Sequence, residues 1–429
     1  MTSERNRHAP RDPVEQVVRE IVLAELKHLL QTYRDDTPME RAARIRAMVK
    51  DEVAEYQRRA VATNQPLLED PAATEERLVD ELLGLGPLES LMRQQDVQTI
   101  RVLSPTRVYV VRGGRQERVH AVRFGSDRQV RELVKRMAAA AGRLFDEAHP
   151  RADFALPDGS RMHAVMPPVS SQYTEVTIRR FTLHDRRLES LVPETMPADL
   201  VSFVSSCVKA RANIVIAGDS GVGKTTVQRM AALEIDDPDD WVIVIEPTRE
   251  LGLHLLLGQC QSWEARPDNS EGLGRITQAQ LLEDDALRCE PTRIIVGECR
   301  GPEAWTFLLA VNSGHSGSMT TIHARSAHNA LDRLMVAALQ EPGAAAVGRD
   351  VIRDIIADNI DLVVYLEKRR GRRRVTQVIE VDPSTDGAVF HTRPLWELQG
   401  DELKRTTLRP ALLDRIARAG LAIPPGLAA

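Results

Sequence analysis

Residues 218–225 read Gly-Asp-Ser-Gly-Val-Gly-Lys-Thr, and the apolar run Ile214-Val215-Ile216-Ala217 leads directly into them. No other stretch restricts the fold as much. In G-x-x-x-x-G-K-[ST], the glycines let the backbone wrap until successive N–H groups point inward at phosphate oxygens. Lys224 brings a mobile positive charge to the β- and γ-phosphates, and the Thr225 hydroxyl can ligand Mg²⁺. The helix expected after Gly223 turns its positive end toward the same place. The candidate nucleotide-binding residues are therefore Gly218, Asp219, Ser220, Gly221, Val222, Gly223, Lys224, Thr225 and Thr226. ATP and Mg²⁺ are the expected ligands, with Thr225 a metal ligand.

A phosphate loop of this kind needs a buried parallel sheet behind it. Val242-Ile243-Val244-Ile245 and Arg293–Val296 supply further strands, apolar on both faces. From about Met196, helix and strand signals alternate. The reading is α/β, with a P-loop ATPase domain over 191–429. Upstream, 71–190 reads as α+β. Strands are expected at Thr99–Leu103, Val108–Val111, Arg115–Val122, Arg161–Val165 and Val176–Phe181. Turns fall at Gly113-Gly114 and at Pro157–Ser160, and a capping box at Ser126/Gln129 opens a helix that Gly142 stops. Residues 1–70 read as a helical extension with a disordered start, Met1–Asp12. One helix runs over Pro13–Leu30, and a second opens at the capping box Thr37-Pro38-Met39-Glu40.

Charge and composition exclude some roles. A net charge of -5 does not suit a chain that coats nucleic acid, which requires a basic surface, so no direct nucleic-acid partner is expected. Aromatic residues at 4% leave little for base stacking. The four cysteines lie far apart without metal-ligand spacing, which fits a reducing cytoplasm. No run approaches a membrane span and no leader is legible, so membrane contact is expected to be peripheral.

Hydrolysis needs a group to orient water and a means of holding Mg²⁺. Ile294-Ile295-Val296-Gly297-Glu298 ends an apolar strand in a carboxylate, at the sheet edge where ligands bind. Gly297 stands where many P-loop proteins carry a magnesium-holding aspartate. Glu246 and Glu250, after the strand that ends at Ile245, are the acids that can help, Glu250 as a metal ligand.

In order, the phosphate loop, the acid-rich strand end, Val296-Gly297-Glu298 and Gly314–Ala324 with His315 and His323 resemble the type II/type IV secretion ATPase superfamily. Ile295–Gly301 and the histidine segment are most similar to its tight-adherence (Flp) pilus branch. So are Glu81–Leu88, Leu156–Arg161 and Ile178–Phe181, farther upstream. The resemblance implies a RecA-like C-terminal domain, a PAS-like N-terminal one and a homohexameric ring. It also implies arginines reaching the γ-phosphate, here Arg161, Arg179 and Arg180, and γ-phosphate sensing by His315 and His323. The implied role is an ATPase motor for pilus assembly or protein secretion, at the inner face of the cytoplasmic membrane on an integral-membrane platform protein. A nucleotide-gated ring scaffold and a DNA-translocating RecA-like ATPase are the alternatives. Three departures stand out. Pro247 replaces the family's aspartate, the segment around Leu282-Glu283-Asp284-Asp285 is acidic and one residue longer than usual, and Ile100-Arg101-Val102 replaces the family's polar turn after the first strand. Lys368–Arg374, with six cations in seven residues, reads as a solvated basic turn between two strands.

Overall fold

The computed structural model describes residues 13–33, 37–181, 186–266, 268, 273–385, 389–424 and 426–427. The start at Met1–Asp12 lies outside the described residues. The chain forms two compact units, Met1–Thr182 and Leu183–Ala429.

The first unit opens with three helices, α1 (Pro13–Thr32), α2 (Pro38–Thr63) and α3 (Pro71–Leu83). Thr37 and Glu40 close a reciprocal capping box on α2, as their spacing predicts. Val18 and Val22 of α1, Ile45, Val49 and Val53 of α2 and Leu78 of α3 share one apolar cluster, so the helical layer runs on past residue 70. A short helix α4 (Glu89–Met92) leads to β1 (Val97–Ser104), β2 (Arg107–Arg112), β3 (Arg115–Arg118), α5 (Asp127–Ala140), β4 (Arg151–Ala155), β5 (Arg161–Val165) and β6 (Glu175–Arg179). The strands form one antiparallel sheet in the order β3-β2-β1-β6-β5-β4. Strand β3 is shorter than the expected Arg115–Val122. Ser126 caps α5, but Gln129 accepts from Gly125 N–H rather than from Ser126, so the capping box is only half made.

The second unit comprises α6 (Ala198–Lys209), β7 (Ile214–Gly218), α7 (Lys224–Ala232), β8 (Val242–Glu246), β9 (Cys260–Glu264), α8 (Gln278–Gln280), β10 (Arg293–Val296), α9 (Glu303–Asn312), β11 (Met319–His323), α10 (Ala327–Ala338), α11 (Pro342–Val347) and α12 (Arg349–Asn359). It ends with β12 (Leu362–Arg369), β13 (Arg372–Thr385), β14 (Phe390–Gln399), β15 (Glu402–Arg405) and α13 (Leu412–Arg418). Nine strands form one sheet, β15-β14-β13-β12-β7-β11-β10-β8-β9, parallel from β12 to β9 and antiparallel beyond. Alternate residues serve opposite layers. Ile214 and Ile216 pack with α6, α7 and α13, whereas Val215 and Ala217 pack with α9, α10 and α12. A parallel core with helices on both faces is the RecA-like arrangement. Leu188 and Leu191 bury in this unit's core, so its start precedes the sequence-based boundary at 190/191.

Two local features differ from expectation. Residues 281–285, in the acidic segment, form a π-helical turn, which holds more residues per turn than an α-helix. The basic stretch 368–374 is mostly strand: Lys368 pairs with Arg373 and Arg369 with Arg372, leaving only Arg370-Gly371, both at positive φ, as the turn.

Candidate nucleotide site

Because β7, β11, β10 and β8 are parallel and adjacent, their carboxyl ends share one edge. Gly218, His323, Glu298 and Glu246 follow one another along it. The phosphate loop leaves β7 at Gly218, whose φ is 151° and where a Cβ would lie 2.4 Å from the Leu366 carbonyl oxygen. Only glycine fits there. Lys224, the first residue of α7, is 7% exposed. Its Nζ donates to the carbonyls of Gly218 (3.1 Å) and Asp219 (2.9 Å) and lies 3.4 Å from His323 Nδ1. Burial lowers its pKa, opposed by the charges of Glu298 and Asp219. Thr225 is half-buried, and Asp219, Ser220, Gly221 and Thr226 are exposed along the loop and the first turn of α7. Buried Val222 packs into the core under the loop, and Gly223 opens α7 at φ 100°.

His323 Nε2 lies 2.7 Å from Glu298 Oε1, and Arg300 Nη2 lies 2.6 Å from Glu298 Oε2. Burial and the Lys224 charge lower the pKa of His323. A neutral ring, with Nδ1 toward the ammonium and Nε2–H toward the carboxylate, matches this setting. Around it, Gln228 donates to the Val296 carbonyl at 2.8 Å and Thr321 to the Gly297 carbonyl at 2.8 Å, fixing the strand end that presents Glu298.

Glu246 is 1% exposed. Its Oε1 accepts the N–H groups of Glu250 (2.8 Å) and Leu251 (2.9 Å), closing the turn after β8, while its Oε2 has no hydrogen-bond partner. A Cβ on Gly297 would meet Glu246 Cγ at 2.9 Å. The space an aspartate would take at residue 297 is thus filled by Glu246. Burial pushes the Glu246 carboxyl up from 4.5 to about 7. Its native form therefore keeps a proton that the unfolded chain loses above 4.5. The stability this carries is complete below 4.5 and is lost as pH rises through about 7. Stability of the second unit is expected to fall by about 2 kcal/mol between pH 5 and 8 through this group. Chemical denaturation across that range checks it, and Glu246→Gln should flatten the slope.

Glu250 is half-buried, and its charge acts on both Arg300 and Glu246. Among the described residues no three His, Cys, Asp or Glu side chains converge as a metal cage. Mg²⁺ keeps waters and takes few protein ligands beside phosphate oxygens. The bare Oε2 of Glu246 is an acceptor of the right hardness for that ion at this edge. A groove of about 690 Å³ opens beside the loop, lined by Asp219, His323, Arg325, Asn329, Arg333 and Tyr365.

Residues 81–418 match the sequence profile of the family described as Type II/IV secretion system protein. The chain belongs to that family. A putative conjugal transfer protein of Mycobacterium tuberculosis (strain H37Rv) is 34% identical over 70% of this chain and 85% of its own length. The type IV secretion system protein PtlH of Bordetella pertussis is 31% identical over 72% and 97%. The crystal structure of the VirB11 ATPase from the Brucella suis type IV secretion system, in complex with sulphate, shares 26% identity over 69% of this chain and 96% of that one, with a TM-score of 0.38.

Other candidates of this secretion-family chain stand elsewhere. His315 precedes β11, at the opposite sheet edge from the loop, roughly 15 Å of strand away. Its Nδ1–H donates to the Pro291 carbonyl at 2.6 Å, and its own carbonyl accepts from Ser318, so within this chain it braces a turn. In the first unit, Arg161 and Arg179 are register partners on β5 and β6, hence on one face, both exposed. Arg161 grips Asp153 through two bonds of 2.8 Å. Arg180 donates to the carbonyls of Gln94 and Val97, tying down the turn before β1. Sequence reasoning missed two cations. Arg300 had a signal, two residues past Glu298 on the same loop. Arg373 had none, since only the strand pairing brings its Cδ within 3.7 Å of where a Gly223 Cβ would stand.

Proposed function

We propose that this chain is an ATPase motor subunit, hydrolysing ATP to drive secretion, conjugal transfer or surface-fibre assembly. The observation that carries the reading is the line of Lys224, His323 and Glu298 along one sheet edge, within 3.4 Å and 2.7 Å of one another. The triphosphate tail lies in the loop, cradled by the N–H groups around Gly221–Thr225. Lys224 moves from the loop carbonyls to the phosphates. Glu298 orients the attacking water and takes its proton, while His323 joins Glu298 to the phosphate end of Lys224. Thr225, with Glu250 or Glu246 nearby, would hold Mg²⁺, which would supply positive charge to offset that on the phosphate oxygens. Arg161 and Arg179 are exposed on one face of the first unit's sheet, and the family resemblance assigns such arginines to the γ-phosphate. Family membership supports a homohexameric ring working at the cytoplasmic face of the membrane on an integral-membrane partner. No helix among the described residues is long and apolar enough to cross a membrane, so a membrane partner fits. The resemblance to the tight-adherence pilus branch makes a fibre one candidate cargo, and the secretion and conjugal-transfer relatives make a transferred macromolecule another.

Steady-state turnover of wild type and Glu298→Gln tests this. The variant is expected to bind ATP and turn over about 100-fold more slowly, as for loss of a general base. Equal rates near background for both would overturn the motor and favour a nucleotide-gated ring scaffold.

A further inference from the structure

Glu298, which the reaction needs free, is held. Arg300 Nη2 sits 2.6 Å from its Oε2, and the two side chains differ sharply in exposure, 68% for Arg300 and 14% for Glu298. The main chain under Arg300 is pinned. Its N–H and that of Gly301 donate to the Glu303 carboxylate, and its carbonyl accepts from Gln340. Rotation of the long side chain is therefore the available motion. The guanidinium head is largely in water already, so turning it exposes little new charge. It also lies close enough to lower the pKa of both Lys224 and His323. Its field thus covers the place beside Lys224 where a terminal phosphate comes to rest.

We propose that Arg300 is a positioning residue that exchanges partners: it holds Glu298 while the site lacks a γ-phosphate, and leaves for that phosphate when ATP binds. The inference rests on the ATPase reading above. An ion pair with one partner mostly exposed is weak, whereas a guanidinium on a multiply charged phosphate makes strong, forked bonds. The exchange therefore runs toward phosphate when a triphosphate is present. A diphosphate offers no oxygen at that position and leaves the pair closed. His323 stays on Oε1 and keeps the carboxylate aimed as Oε2 is released to water. ATP, and not ADP, would then free the base, which keeps the site quiet after product forms.

The test is binding of the non-hydrolysable analogue AMP-PNP and of ADP, each with Mg²⁺, to the full chain by titration calorimetry. Arg300→Gln is expected to bind AMP-PNP about tenfold more weakly, as for loss of a charge-assisted bond, with ADP unchanged. Arg300→Lys should recover part of the loss. Glu298→Gln, which frees Arg300 in advance, should bind AMP-PNP several-fold more tightly than wild type, and adding Arg300→Gln should erase that gain. A gain that survives in the double variant would mean simple repulsion between Glu298 and phosphate, and would overturn the exchange. So would equal losses for both nucleotides, or none, in Arg300→Gln. Wild type that binds neither nucleotide would sink the ATPase reading itself.

Discussion

Lys224→Ala is expected to remove measurable ATP binding and to lower turnover by roughly 10²–10³-fold or more, the cost of losing a preorganised charge from an active site. Lys224 is 7% exposed and its ammonium is already turned into the loop, where the Gly218 and Asp219 carbonyls hold it. Those carbonyls hold it at the loop before the substrate arrives, and only the side-chain head has to turn from them to the phosphates. Alanine removes the one buried cation of the loop and leaves two carbonyl dipoles facing incoming phosphate, an arrangement that repels it. Lys224→Arg keeps the charge but is expected to recover little. A planar fork does not fit the slot that a single tapered ammonium fills between carbonyls. Calorimetric titration with ATP and a phosphate-release assay check both variants, with circular dichroism as the control for folding. Turnover by Lys224→Ala within about threefold of wild type would mean that the loop is not the site of chemistry.

That loop was legible because its residues do the same thing in any context. Glycines with forced φ, an ammonium and a hydroxyl define a phosphate cradle without help from distant chain. Glu298 was legible for a related reason: an apolar run ending in an acid marks the carboxyl edge of a buried strand. The doubly covered sheet followed from strands such as Val242–Ile245, which have no polar face to give to water. What stayed hidden depends on pairing between distant segments. Strands β9, β14 and β15 carry mixed polarity because they lie at or near sheet edges, so their pattern resembles loop. The basic stretch 368–374 looked like a turn because charge suggests exposure. Exposed strand ends satisfy the same pattern, and only the register Lys368 to Arg373 reveals a two-residue turn. His315 and His323 lie eight residues apart in one motif, and the sequence alone could not tell that a five-residue strand between them sends them to opposite edges.

The same blindness to distant pairing concealed the element whose loss should cost the most stability. Asp240 precedes β8 and Arg293 opens β10, yet their side chains are 0% and 1% exposed and meet at 2.7 Å. Arg293 also donates to the Val208 carbonyl at the end of α6, at 2.7 Å. Asp240 further accepts from Arg211 and, at 3.0 Å, from the Thr292 hydroxyl, which in turn accepts the Trp241 N–H. One carboxylate therefore fastens α6, β8 and β10 at the sheet edge opposite the nucleotide. Glycine at residue 317 is part of the same fit, since a Cβ there would strike the Arg293 guanidinium at 2.4 Å. Asp240→Ala leaves that guanidinium buried with no counter-charge, and is expected to destabilise the second unit by about 3–5 kcal/mol. Arg211 adds less, because its side chain is 36% exposed and can turn to water. All 4 tryptophans lie in this unit, so intrinsic fluorescence during urea unfolding reports on it alone. Adding Arg293→Met to Asp240→Ala should recover part of the loss, because an unpaired buried charge costs more than an apolar side chain in its place. A midpoint for Asp240→Ala within about 1 kcal/mol of wild type would mean that water reaches Arg293 and that the three elements are held by their apolar faces alone.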